Sequence, residues 1–201
     1  MITIQPVAGD PGLWQLLAEQ RFAKPRDEVF QFFADANQLE RITPPWLHFS
    51  IVSELPIEMR AGALIDYRLR MRGLPIFWRT EISVWEPSVR FVDQQLRGPY
   101  RLWHHEHLFL EEGQHTVVRD VVNYRVPLGV LLHRPLVRPE LIRIFQYRHE
   151  FWQRSLHEHT FWQGKVACLP LNSARSGKSG VGRLRFDVVE VVPRIVQLGL
   201  L

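Results

Sequence analysis

Five consecutive residues, Trp103-His104-His105-Glu106-His107, hold the densest chemistry in the chain. On a strand, alternation sets Trp103, His105, His107 and Phe109 on one face, with His104 and Glu106 on the other. The next apolar run puts Thr116, Val118, Asp120, Val122 and Tyr124 on a single face. A hairpin turning at residues 111–114 or 112–113 pairs odd positions before it with even positions after it. His105 then lies opposite Asp120 or Val122 on the same face. The aromatic residues flanking the histidines make that face the inner one. It forms a small polar centre, His105, His107 and Asp120 with Thr80 and Tyr67, inside apolar walls.

Three readings suit such a centre, with catalysis and metal binding counted as one. A histidine and an aspartate can satisfy each other inside an aromatic core, since buried polar groups need partners. They can instead anchor a hydroxyl, carbonyl or carboxylate of an otherwise apolar guest. A histidine oriented by a carboxylate can also act as an acid or base near neutral pH. Two histidines and one aspartate meet the count of a facial metal triad. Spacing of the H-x-H type on a strand is weak support for that, so no metal ligand and no cofactor is assigned.

These residues need a sheet to hold them. Leu64–Met71 alternates, with Ile65, Tyr67, Leu69 and Met71 opposed to Asp66, Arg68 and Arg70. Ile76–Trp85 sets Ile76, Trp78, Thr80, Ile82 and Val84 against Phe77, Arg79, Glu81, Ser83 and Trp85. Leu102–Leu110 and Thr116–Arg125 read the same way, and Phe49–Glu54 and Arg90–Gln95 are shorter runs. No helical crossover separates them, which predicts an antiparallel meander. Before it, residues 1–12 read as a loose lead-in rich in proline and glycine, and the second half of Leu13–Ala23 as a strand. Pro25-Arg26-Asp27-Glu28 opens a short helix with Val29, Phe30, Phe32 and Phe33 as its apolar side. Asp35 or Asn37 caps a second one, which Thr43-Pro44-Pro45 ends. After the meander, Pro139 starts a helix expected to reach about Trp162. Leu141, Ile144, Phe145, Trp152 and Leu156 recur on its apolar side.

Composition narrows the function classes. The chain has 201 residues, 46% of them hydrophobic and 23% charged, with 7 Trp, 12 Phe and 4 Tyr. That balance suits a globular core and excludes a disordered or fibrous chain. The formal charge is +4, yet residues 1–162 carry 19 basic and 19 acidic side chains. The excess lies in residues 163–201, so the body lacks the basic stripe that phosphate contacts require. Nucleic acid is not expected as a partner. The single cysteine, Cys168, fits a reducing compartment, and neither a signal segment nor an 18-residue apolar run is present. Cytoplasmic localisation without integral membrane association is the expectation. Two domains of unequal kind follow: a folded body at 1–162 and a tail at 163–201 without assigned role.

The element order resembles the helix-grip fold. Several stretches resemble the START-like, or SRPBCC, superfamily, with its polyketide-cyclase and lipid-transport members: Pro25–Phe33, Leu39–Trp46, Gly62–Tyr67, Phe91-Val92-Asp93, Gly98–His107, and Arg119–Tyr124 with Pro127-Leu128-Gly129. The likeness covers roughly residues 14–160 and is nearest to small bacterial stand-alone members. It implies an α+β fold, a curved antiparallel sheet wrapped around a long C-terminal helix with two short helices. It further implies a cavity holding a small hydrophobic or amphipathic molecule. Tyr67, Trp78, Trp103, Tyr124, Phe145 and Trp152 would be its walls and His105, His107, Asp120 and Thr80 its polar groups. A cyclase or dehydratase using a His105–Asp120 acid/base pair is the alternative, and an interaction module without ligand a third. The oligomeric state is not legible.

Overall fold

The structure is a computed structural model in which residues 1–157 are described. The expected end of the long helix at Trp162 and the segment 163–201 lie outside the described residues.

The chain begins with a strand, β1 (Ile2–Pro6), which pairs antiparallel with β2 (Leu13–Phe22). The expectation of a loose lead-in is thereby corrected. Its remaining loop-forming residues are confined to the turn, where Val7 N–H donates to Leu13 O at 3.0 Å and Gly9 and Gly12 take positive φ. Ile2 and Ile4 alternate toward the core, a strand signal too short to stand out against its loop-forming neighbours. Strand β2 is also extended from its first residue, not only in its second half.

Helix α1 (Arg26–Phe33) follows Pro25, has Asp27 and Glu28 in its first turn, and buries Val29 and Phe30. Helix α2 (Gln38–Ile42) ends at extended Thr43, as expected. Neither Asp35 nor Asn37 caps it by a side chain; Asp35 instead accepts from the backbone N–H of Asn37 at 2.9 Å.

The remaining strands are β3 (Ser50–Ile51), β4 (Leu64–Met71), β5 (Leu74–Glu86), β6 (Arg90–Arg97), β7 (Leu102–Glu112) and β8 (His115–Arg125). Together they form one antiparallel sheet in the order β1-β2-β8-β7-β6-β5-β4-β3. The β7–β8 hairpin pairs Glu112 with His115, so its turn is Gly113-Gln114. That register sets His105 opposite Val122 and His107 opposite Asp120. Strand β5 departs from strict alternation. Its register with β6 shifts between Ile82 and Val84, and this bulge turns Trp85 inward onto Phe30 and Phe91. Trp85, expected on the outer face, is therefore partly buried and packs against the core.

Helical backbone starts before Pro139. A turn α3 (Val130–Leu132) and a π-helical turn (His133–Val137) lead straight into α4 (Arg138–His157). Pro135 lies within the wide turn, where its missing N–H removes an ordinary helical hydrogen bond. Leu141, Phe145 and Trp152 of α4 are buried. This is the helix-grip α+β fold, with the long helix laid along a curved sheet.

Candidate functional site

A pocket of about 180 Å³ opens between the inner sheet face, α1, α2 and α4. Nine of the ten residues picked from the sequence line it: Tyr67, Trp78, Thr80, Trp103, His105, His107, Asp120, Phe145 and Trp152. Tyr124 does not. It is fully buried beside the pocket, with its hydroxyl 2.9 Å from His133 Nε2. Its strand points it inward as the pattern requires, but His133 from the π-helical turn closes that end of the sheet.

Aromatic side chains build one wall. Tyr67 and Trp78 stack with ring centroids 5.8 Å apart, and Trp103 meets Trp78 edge-on at 5.4 Å. Two polar groups within this wall are already satisfied. Trp78 Nε1 donates to Thr80 Oγ1 at 3.1 Å, and the Tyr67 hydroxyl lies 2.9 Å from the same oxygen. Burial and the nearby Asp93 charge hold the Tyr67 phenol well above its usual range, so it stays protonated.

The polar floor consists of four side chains: His105 and His107 from β7, Asp120 from β8 and Asp93 from β6. His105 Nε2 is 3.0 Å from Asp120 Oδ1, and His107 Nε2 is 3.0 Å from Asp93 Oδ2. The other nitrogen of each ring faces the other carboxylate: His105 Nδ1 is 3.3 Å from Asp93, and His107 Nδ1 is 2.8 Å from Asp120. That last contact lies off the line of a hydrogen bond, leaving a buried nitrogen without a bonded partner. The two imidazoles lie 3.8 Å apart between centroids, tilted by 34°, and His107 stacks on Phe91 at 4.2 Å.

Burial disfavours charge on both rings, and the outcome differs between them. For His107 the carboxylates of Asp120 and Asp93 outweigh burial and push its pKa up to about 9. For His105 burial and the neighbouring His107 charge win over the two aspartates, and its pKa is lowered. Burial works against ionised Asp93 and Asp120, but the imidazoles hold both carboxyls below the usual range. At neutral pH the floor therefore carries two carboxylates, one imidazolium and one neutral imidazole. Both aspartate side chains remain about one-fifth exposed, 19% and 20%.

Two charged lining residues that bear on the polar floor and its guest, Asp93 and Arg148, escaped the sequence reading. Asp93 is paired with His105 across β6–β7, and alternation in Arg90–Gln95 already sets it beside Phe91 on one face. An acid two residues from a buried phenylalanine was the available signal. Arg148 of α4 also lines the pocket; its Nε is buried without a hydrogen-bond partner, and its guanidinium lies 5.3 Å from the Phe145 ring. It follows Phe145 by three positions and shares its side of the helix. His149 lines the pocket as well.

Among solved structures, protein Ms6760 of Mycobacterium smegmatis is similar at 18% identity and a TM-score of 0.56, over 78% of this chain and 98% of its own. TTHA0849 of Thermus thermophilus is similar at 17% identity and 0.55, over 75% and 99%. Ginseng major latex-like protein 151 of Panax ginseng is similar at 11% identity and 0.54, over 71% and 97%. At these identities the likeness is one of fold. No curated protein matches the chain. The polyketide cyclase / dehydrase and lipid transport family model matches residues 22–147, a stretch running from the end of β2 into α4 and including every side chain of the polar floor. With that span matched, the chain belongs to this family.

Proposed function

We propose that the protein binds a small amphipathic molecule in the pocket between sheet and long helix. The observation that carries this reading is an aromatic-walled hollow with charged groups gathered at one place in its lining. Its volume, about 180 Å³, exceeds the roughly 150 Å³ of a cavity that accepts benzene and falls short of the roughly 300 Å³ of typical ligand pockets. A single ring with short polar substituents suits it better than a long acyl chain. Ligand hydroxyls would donate to Asp93 and Asp120, and an acceptor group would take the unpartnered Arg148 Nε–H. His105, His107, Asp120 and Thr80 are the anchors read from the sequence, with Tyr67, Trp78, Trp103, Phe145 and Trp152 as walls. The family's description covers both binding and cyclisation or dehydration, and is compatible with this guest.

Native mass spectrometry of freshly purified protein, joined to thermal melts with 4-hydroxybenzoate, benzene and palmitate, tests the reading. A retained organic mass, or a rise in Tm with 4-hydroxybenzoate that shrinks in Arg148→Met, is expected. A clean protein mass together with no shift from any probe overturns it.

A second reading rests on the His105–Asp120 contact. A neutral imidazole bonded to a carboxylate at a pocket wall is equipped to take a proton, as a cyclase or dehydratase would require. An enzyme of this kind shows a pH–rate profile that loses a limb in His105→Gln. Residence in the cytoplasm remains part of the proposal; among the described residues no helix is long and apolar enough to cross a membrane.

A further inference from the structure

We infer that Asp93, His105 and His107 form a binding site for one divalent transition-metal ion, with Asp120 as the group that orients both histidines. One donor atom from each of the three lies within 4.8 Å of the other two. Asp93 Oδ2 is 3.3 Å from His105 Nδ1 and 3.0 Å from His107 Nε2. A metal bound about 2.0–2.2 Å from each donor needs neighbouring donors roughly 3 Å apart, which these contacts already approach.

The arrangement of the second aspartate is what separates this cluster from an ordinary buried ion pair. Asp120 Oδ1 touches His105 Nε2 at 3.0 Å and His107 Nδ1 at 2.8 Å. Asp93 touches the opposite nitrogen of each ring. Asp120 thus hydrogen-bonds the outward nitrogen of His105 and lies beside that of His107, while Asp93 faces both remaining nitrogens. Metal-ligating histidines are held by a carboxylate on their far nitrogen in the same manner, which selects the tautomer that presents a lone pair to the ion. Here each ring has a carboxylate beside both of its nitrogens, and His107 Nδ1 is left without an aligned bond.

The strand explains the spacing. His105 and His107 are two positions apart on β7, so their rings project from one face, and Asp93 and Asp120 flank them on β6 and β8. Two imidazoles and one carboxylate favour zinc, iron(II) or their first-row neighbours over magnesium or calcium, which prefer all-oxygen sites. The sequence pattern alone offered Asp120 as the third ligand. The register moves that role to Asp93 and makes Asp120 a positioning residue. The site stands whether or not the pocket binds an organic guest, because the ion requires only these side chains.

Calorimetric titration of the full chain, without a histidine tag and stripped with EDTA, tests it with Zn²⁺. Binding of one equivalent at micromolar affinity or tighter is expected, weakened at least 100-fold in His107→Gln and about 10- to 100-fold in Asp120→Asn. Co²⁺ added to the wild-type chain should give visible d–d absorption with nitrogen ligands and needs no variant to fold. Failure of the wild type to bind Zn²⁺ and Co²⁺ overturns the inference. So does a stoichiometry that persists in the double variant His105→Gln/His107→Gln.

Discussion

His133 shows what burial does to one side chain. It is fully buried, stacked on Trp14 at 3.6 Å between centroids, with Nε2 bonded to Tyr124 and Nδ1 lacking a partner. Burial, with Arg138 and Arg134 nearby, lowers its pKa to about 4. The unfolded chain takes up this proton near pH 6.5, well before the folded one. Stability from His133 is thus present above pH 6.5 and lost as pH falls through 4, at most about 3 kcal/mol. Thermal melts of His133→Gln between pH 7 and 4 should fall less steeply than those of the wild type. Equal slopes would show that the ring titrates normally. Side chains of this kind were half legible beforehand. Alternation alone brought His105, His107 and Asp120 together, because all three sit on one hairpin. Asp93 and Arg148 come from β6 and α4, and no local pattern ties them to that hairpin.

At the level of elements, two deviations from regularity matter more than the regular parts. The bulge in β5 turns Trp85 onto Phe30, where strict alternation would have put Val84. The loop after β6 depends on a side chain: Gln95 donates to Tyr100 O at 2.6 Å and accepts from Tyr100 N at 3.2 Å. A Cβ on Gly98 would strike that amide. Gly98→Ala should therefore cost about 1–2 kcal/mol in urea unfolding, through loss of the two bonds. Adding Gln95→Ala to that variant should cost little more, because the interaction is already gone. A fully additive cycle would refute the clamp. The clamp matters to the pocket, since it holds Tyr100 against Trp78 and Trp103. The strands were readable as runs except β1, hidden by the loop residues behind it, and β3, which shrinks from an expected six residues to two.

At the scale of the molecule, every pocket-lining residue named above lies within residues 1–157. A chain ended after Gly164 is expected to melt within a few degrees of the full chain by circular dichroism. Loss of soluble protein on that truncation would make the tail part of the fold. The amino-acid sequence by itself determined the class of architecture, because alternation, helical spacing and the change of period between residues 47 and 64 are local properties of the chain. It also determined the chemical makeup of the hairpin that carries the site. Only the tertiary structure decided which aspartate faces which nitrogen, that Tyr124 turns to His133 rather than the pocket, and that Arg148 enters it. Those outcomes depend on strand register and on where a helix lies across a sheet, and both are set by contacts between residues distant in sequence.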